Sequence, residues 1–339
     1  MSDISRLERL LSLLSSRLND LACPLCGAAL CAPEGASLRC AKGHCFDVAR
    51  KGYVNFACAG TLAHYDRALF LARRAVFDAG CYAPAADALR GSVVFEHVSL
   101  CYKGAGAESL TDVSFTANPG QTIGVIGGTG CGKTSLVNLI PRFYDATSGR
   151  VLVDGLDVRD MRRDVLRRRI AVVPQKAMLF KGTIRSNLLW GNEDATEQDL
   201  QNALAVAQAL DVVASKDQGL DEPVEQGGRN FSGGQRQRLT IARALVRQPE
   251  ILILDDSASA LDYATDARLR RAIRQMQNPP TTFIVSQRAA SIRFADLILV
   301  LEDGHVEGMG THEQLLASCP VYQEIYSSQF KTEEGTHHG

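Results

Sequence analysis

Six short apolar runs set the rhythm of the chain beyond residue 92. They are V-V-F-E-H-V-S-L from Val93, T-I-G-V-I-G from Thr122, R-I-A-V-V-P from Arg169, I-L-I-L-D-D from Ile251, T-F-I-V-S from Thr282 and L-I-L-V-L-E from Leu297. Helical segments separate them. Apolar strands alternating with helices predict a mainly parallel sheet covered on both faces. Residues 2–22 follow a different period, with Ile4, Leu7, Leu11, Leu14, Leu18 and Leu21 at spacings of three and four. That is an amphipathic helix with a heptad seam, either packed on its own domain or self-associating. Residues 23–90 are Cys/Gly-rich and poorly periodic until an Ala/Arg-rich helical stretch, Ala63 to Phe77. Asp78-Ala79-Gly80 stops that stretch, and Ala83-Pro84 with Gly91 reads as a linker. The expected plan is a helix (1–22), a small module with linker (23–90), an α/β domain (91–330) and a disordered tail (331–339).

Composition changes this picture little. A length of 339 residues, 45% hydrophobic and 22% charged, suits an ordinary globular protein of two or three domains. A net charge of −1 excludes a chain that grips polyanions over its whole surface. No apolar run approaches the ~18 residues that span a bilayer. Asp3, Glu8 and Asp20 interrupt any secretory pattern, so a cytoplasmic location is expected, peripheral to the inner membrane face through a partner. Seven of ten cysteines fall between Cys23 and Cys81, which in a reducing compartment suggests metal before disulfides.

The first chemistry-bearing motif is Gly127-Gly128-Thr129-Gly130-Cys131-Gly132-Lys133-Thr134, of the form G-x-x-x-x-G-K-[ST], between a predicted strand and a predicted helix from Ser135 to Ile140. Glycines allow the loop's N–H groups to wrap a polyphosphate, and the following helix points its positive end at the anion. Lys133 would reach the β- and γ-phosphates, and Thr134 would offer its hydroxyl to Mg²⁺. The strand ending in Asp255 supplies the acidic group that organises the same cation.

Four further segments extend the pattern. Val173-Pro174-Gln175 follows a strand and brings the Gln175 amide to the metal and the attacking water. Asn230-Phe231-Ser232-Gly233-Gly234-Gln235 opens a helix as a second glycine-rich phosphate cap. Ser259-Ala260-Leu261-Asp262 follows the Asp255 strand, and Phe283 to Gln287 ends another strand in a polar side chain. In order and separation these resemble the Q-loop, signature motif, D-loop and switch loop of the ATP-binding cassette (ABC) ATPases, over roughly residues 92–330. The resemblance implies an α/β P-loop NTPase fold with a mainly parallel core, an antiparallel β subdomain and a helical signature subdomain. Val224-Glu225-Gln226-Gly227-Gly228 is similar to the exporter X-loop, and Tyr102 stands where that family stacks an aromatic ring on adenine. It also implies a head-to-tail dimer in which Ser232, Gly233, Gly234 and Gln235 close on ATP held by the other subunit, and a transmembrane subunit as partner.

Two departures from the family pattern fall on the chemistry, beside Phe231 for the usual Leu in the signature and the altered wording of the X-loop. Asp256 stands where the family has Glu, and Gln287 where it has His. A carboxylate one methylene shorter is displaced by roughly 1 Å, enough to cost about 10²-fold in rate. Glutamine can hydrogen-bond a γ-phosphate but cannot become a cation. The expectation is intact ATP binding with slow turnover, as in the degenerate half of a heterodimeric exporter.

The amino-terminal module carries Cys23-x-x-Cys26 and, 14 residues on, Cys40 followed by His44. Three thiolates and an imidazole in two tight knuckles suit a structural tetrahedral Zn²⁺, with Cys45 an alternative fourth ligand and Cys31 a weaker one. Residues 21–90, including H-C-F-D-V-A-R-K-G-Y-V-N-F from His44, are similar to the zinc module of large-subunit rRNA guanine methyltransferases. That resemblance implies RNA as a further partner, gripped by Arg39, Lys42, Arg50, Lys51, Arg67, Arg73 and Arg74 with Phe46, Tyr53 and Phe56 as stacking faces. No second nucleotide fingerprint follows that could serve a methyltransferase. The leading expectation is an ABC-type ATPase powering transport; the alternatives are an RNA-associated module gated by ATP and a regulatory subunit that binds ATP without useful hydrolysis.

Overall fold

The computed structural model describes residues 23, 28, 30–34, 37–42, 44–49, 53–55, 90–257 and 260–334. The heptad seam of residues 2–22, Cys26, the stretch from Ala63 to Phe77, Arg50, Lys51, Phe56, Arg67, Arg73, Arg74 and Ser259 lie outside them, as do residues 335–339. The chain divides into two compact units, Met1–Ala88 and Leu89–Gly339.

The described residues of the first unit form an antiparallel meander of β1 (Leu30–Glu34), β2 (Ser37–Cys40), β3 (Cys45–Ala49) and β4 (Tyr53–Asn55), in that spatial order. Among the described residues of this unit, Leu30, Leu38 and Phe46 are buried, as are Cys23 and Cys40. Phe46 is fully buried, which removes it from the expected set of stacking faces; it packs inward because β3 alternates exposed Cys45 with buried Phe46.

The second unit holds β5 (Val93–Leu100), β6 (Leu110–Ala117), β7 (Thr122–Gly127), β8 (Ser148–Val153), β9 (Leu156–Asp157), β10 (Ile170–Val173), β11 (Gly182–Thr183), β12 (Pro223–Val224), β13 (Ile251–Asp255), β14 (Thr281–Val285), β15 (Leu297–Glu302) and β16 (His305–Gly310). Six of them form a sheet in the order β10-β13-β14-β7-β15-β16, parallel except for the last pair. Burial along each strand alternates between two cores. Leu252, Leu254, Ile284 and Val300 face one, with the helix Gly233–Val246, while Ile251, Ile253, Phe283 and Leu299 face the other. Both faces are covered, which is why these strands read as unbroken apolar runs.

The second core is closed by an antiparallel sheet, β6-β5-β8-β9, where Phe95 and Phe115 stack at 4.6 Å. Here β6 alternates buried and polar residues, the pattern of a half-covered strand. The helix after the glycine-rich loop runs Lys133–Leu139, two residues earlier than expected, because Gly132 at φ +99° turns the chain directly into its first turn. At the other end Pro320–Glu334 is continuous helix, four residues into the expected tail, since no Gly or Pro interrupts it before Gly335. No helix among the described residues is long and apolar enough to cross a membrane.

Candidate nucleotide site and metal centre

The carboxyl ends of β7, β13 and β14 converge on one cleft of 420 Å³. Its walls include Tyr102, Thr129, Gly130, Gly132, Lys133, Thr134, Ser135, Gln175, Asp255, Asp256 and Gln287, all singled out from sequence. Val285 and Ser286, from the Phe283–Gln287 segment, line it too, as does Ser109, which carried no motif of its own.

Each side chain is placed by a local device. At Gly132 an added Cβ would lie 2.5 Å from the Ser109 carbonyl oxygen, so only glycine fits. Lys133 is folded back, its ammonium donating to the carbonyls of Gly127 at 2.9 Å and Gly128 at 2.5 Å. A polyphosphate in the loop would replace those carbonyls with a stronger, charged acceptor. The Thr134 hydroxyl donates to both oxygens of Asp255 at 3.1 Å. A hydroxyl beside a carboxylate at the loop's end is an oxygen pair suited to Mg²⁺. Burial pushes the Asp255 carboxyl above its ordinary range and Asp256 adds to this, while the Thr134 hydrogen bond and Lys133 oppose it. A divalent cation would relieve that burden.

Asp256 adopts φ +44°, and its N–H donates to the Val285 carbonyl at 2.9 Å. Its carboxylate accepts from the Gln175 amide at 3.0 Å, which leaves the amide oxygen of Gln175 for a cation or water. The Tyr102 hydroxyl donates to Ser135 at 2.9 Å, and its ring meets the Tyr144 ring edge-on with centroids 4.9 Å apart.

The signature segment stands elsewhere. Ser232 caps the helix Gly233–Val246 in a reciprocal box with Gln235, the serine N–H donating to the glutamine oxygen at 2.9 Å. Ser232 and Gly233 are exposed, and neither they nor Gly234 and Gln235 line this chain's cleft.

In the first unit, ligand atoms of Cys23, Cys40 and His44 lie within 4.8 Å of one another. The His44 Nδ1 atom is 3.4 Å from each sulfur. Tetrahedral Zn²⁺ with ordinary Zn–S and Zn–N bonds sets S and N about 3.6 Å apart, so the trio fits that ion. Cys45 is exposed on β3 and Cys40 and Cys23 are buried.

A parallel sheet with a glycine-rich loop and an acidic strand at one cleft defines a P-loop nucleotide-binding domain. Residues 110–259 match the ABC transporter family, and residues 21–59 match the family described as RlmA, N-terminal. The chain is 45% identical over 247 residues to an uncharacterized ABC transporter ATP-binding protein of Bacillus subtilis, YfiB, pairing 73% of this chain with 43% of that protein. It is 44% identical over 248 residues to the β-(1→2)glucan export ATP-binding/permease protein NdvA of Rhodopseudomonas palustris, pairing 73% with 41%. A bacterial Atm1-family ABC exporter solved with ATP bound superposes with a TM-score of 0.68 at 31% identity, covering 76% of this chain and 48% of that one. The region beyond residue 92 is therefore an ABC transporter ATP-binding domain, with a zinc-ribbon segment of the RlmA type before it. The chain spans less than half the length of these relatives.

Proposed function

We propose that this chain binds and hydrolyses MgATP as the motor of an ABC exporter, acting with a second ABC subunit and with membrane-spanning partner segments. The observation that carries this is the convergence of Lys133, the Thr134–Asp255 pair, the Gln175–Asp256 pair and Gln287 on one cleft. In it, Lys133 neutralises phosphate charge, Thr134, Gln175 and Asp255 hold Mg²⁺, and Asp256 and Gln287 orient the attacking water and the γ-phosphate. Tyr102 offers its ring to the base.

Head-to-tail dimerisation is supported by the exposure of Ser232 and Gly233, which do not line this chain's own cleft and are free to close on a partner's. A docking surface near the Gln175 loop is supported by Phe180 and Trp190, stacked at 4.4 Å and 39% and 67% exposed, with Met178 beside them in sequence. The shortened Asp256 and uncharged Gln287 make this the slow site of a heterodimer whose fast site receives this chain's signature helix. The amino-terminal module holds structural Zn²⁺ through Cys23, Cys26, Cys40 and His44.

Calorimetry with MgATP tests the core of this reading. Wild-type chain takes up nucleotide only when Mg²⁺ is present, and Lys133→Ala abolishes the signal without lowering the melting temperature by more than a few degrees. Absence of Mg²⁺-dependent uptake by the wild type removes the reading.

A further inference from the structure

We propose that Gln329 is a positioning residue for the switch loop, holding Gln287 in the nucleotide cleft from a helix that does not line that cleft. The proposal deepens the ATPase reading and rests on it.

The switch loop is fixed at its flanks by its own neighbours. Ser286 N–H donates to Val125 carbonyl at 3.0 Å, tying the loop's start to β7, and Arg288 N–H donates to the Ser286 hydroxyl at 3.0 Å. Gln287 and Ala289 need outside help. The helix that starts at Ala289 is only four residues long, and Arg288 gives it no side-chain cap. Ala289 N–H is thus one of the first-turn donors that lack an intrahelical acceptor. Gln329 meets both needs with one group. Its amide nitrogen donates to the Gln287 carbonyl at 2.7 Å, and its amide oxygen accepts from Ala289 N–H at 2.8 Å, across 42 and 40 residues of chain. A carboxamide carries a donor and an acceptor a fixed short distance apart.

The clamp has a rigid foundation. Tyr322, two turns earlier on the same helix, is fully buried, with its hydroxyl 2.8 Å from His312 Nδ1. Ile325 and Tyr326, one turn before Gln329, pack on the same core. Residues at these spacings share one helix face. Sliding this helix would pull Tyr322 from the core, so the register of Gln329 against the switch loop is set by packing. The Gln287 side chain then enters the cleft at a depth fixed from outside it.

The test compares Gln329→Ala and Gln329→Glu in the full chain by amide exchange, MgATP titration and steady-state ATPase assay. In the alanine variant the Ala289 amide exchanges at least about tenfold faster and kcat falls about tenfold, an effect in the range of a sub-ångström misplacement. KM for ATP stays within about threefold, because Tyr102 and the Lys133 loop are held by other contacts. The glutamate variant keeps the acceptor for Ala289 and loses the donor to Gln287, so exchange stays slow while kcat falls like that of the alanine variant. Its near-identical shape carries the test should the alanine variant fold poorly. An alanine variant with kcat within about twofold of the parent overturns the proposal, as does a glutamate variant with full turnover. If the parent hydrolyses no ATP, the ATPase reading fails separately, and unaltered Ala289 exchange in the alanine variant then overturns the clamp by itself.

Discussion

Lengthening the carboxylate at position 256 should speed hydrolysis, and the gain can be worked from the geometry. The Asp256 backbone is pinned by its N–H bond to Val285, at 2.9 Å, at the end of β13, so an added methylene advances only the carboxylate. That advance is about 1 Å, and a group brought into place by that distance is worth about 10²-fold, or about 2.7 kcal/mol of barrier. Against it stands the hydrogen bond from Gln175, now 3.0 Å, which the longer side chain gives up at a cost of about 1 kcal/mol. The net is about 1.7 kcal/mol, a rise in kcat of roughly twentyfold for Asp256→Glu. Adding Gln287→His supplies a group able to carry a proton beside the γ-phosphate and raises the rate further. The assay is Mg²⁺-dependent phosphate release by full-length chain at saturating ATP, with nucleotide affinity measured in parallel. A double variant that binds ATP like the parent yet turns over no faster refutes the degenerate-site reasoning.

Three further outcomes follow from the same geometry. Asp255→Asn should stabilise the nucleotide-free protein while abolishing Mg²⁺-dependent ATP binding, because burial holds that carboxyl above its ordinary 3.8. The sign is that of a raised acid: the penalty is absent below the unfolded value, grows as pH rises to the folded one and is complete above it. Melting curves of variant and parent should therefore coincide in acid and separate towards neutral pH; a variant less stable at pH 7 contradicts the burial argument. Tyr102→Ala removes the ring that faces the cleft and should weaken ATP by roughly tenfold, the scale of one aromatic stack, without changing affinity for inorganic triphosphate; equal losses for both ligands would show that Tyr102 does not read the base. A zinc chelator, or Cys40→Ala, should release one equivalent of Zn²⁺ and unfold the β1–β4 meander while ATP binding by the second unit persists, as followed by metal-indicator dye and calorimetry; a chelated protein with the meander's amides still protected would show the metal to be dispensable.

Much of the second unit was legible because its chemistry is local. Gly127 to Thr134 must be contiguous to wrap a phosphate, and β7, β13, β14 and β15 are buried on both faces, so each announces itself as an apolar run. The strands β6 and β16 pass with less signal, since one face of each meets solvent and the apolar count is halved, and β8 because only its last three residues, Val151 to Val153, are apolar and buried. Cys23, Cys40 and His44 could each be named from the spacing of the two knuckles, while their approach to within 4.8 Å of one another comes only with folding.

The sequence by itself thus named the candidate residues for phosphate, magnesium and zinc, because such ligand sets fall in short runs whose spacing the backbone fixes. Only the tertiary structure decided that the Gln175 amide donates to Asp256, that Phe46 packs inward and that Gln329 reaches back to the switch loop. Contacts across 40 to 81 residues depend on how helices and sheet pack, and no local period records them.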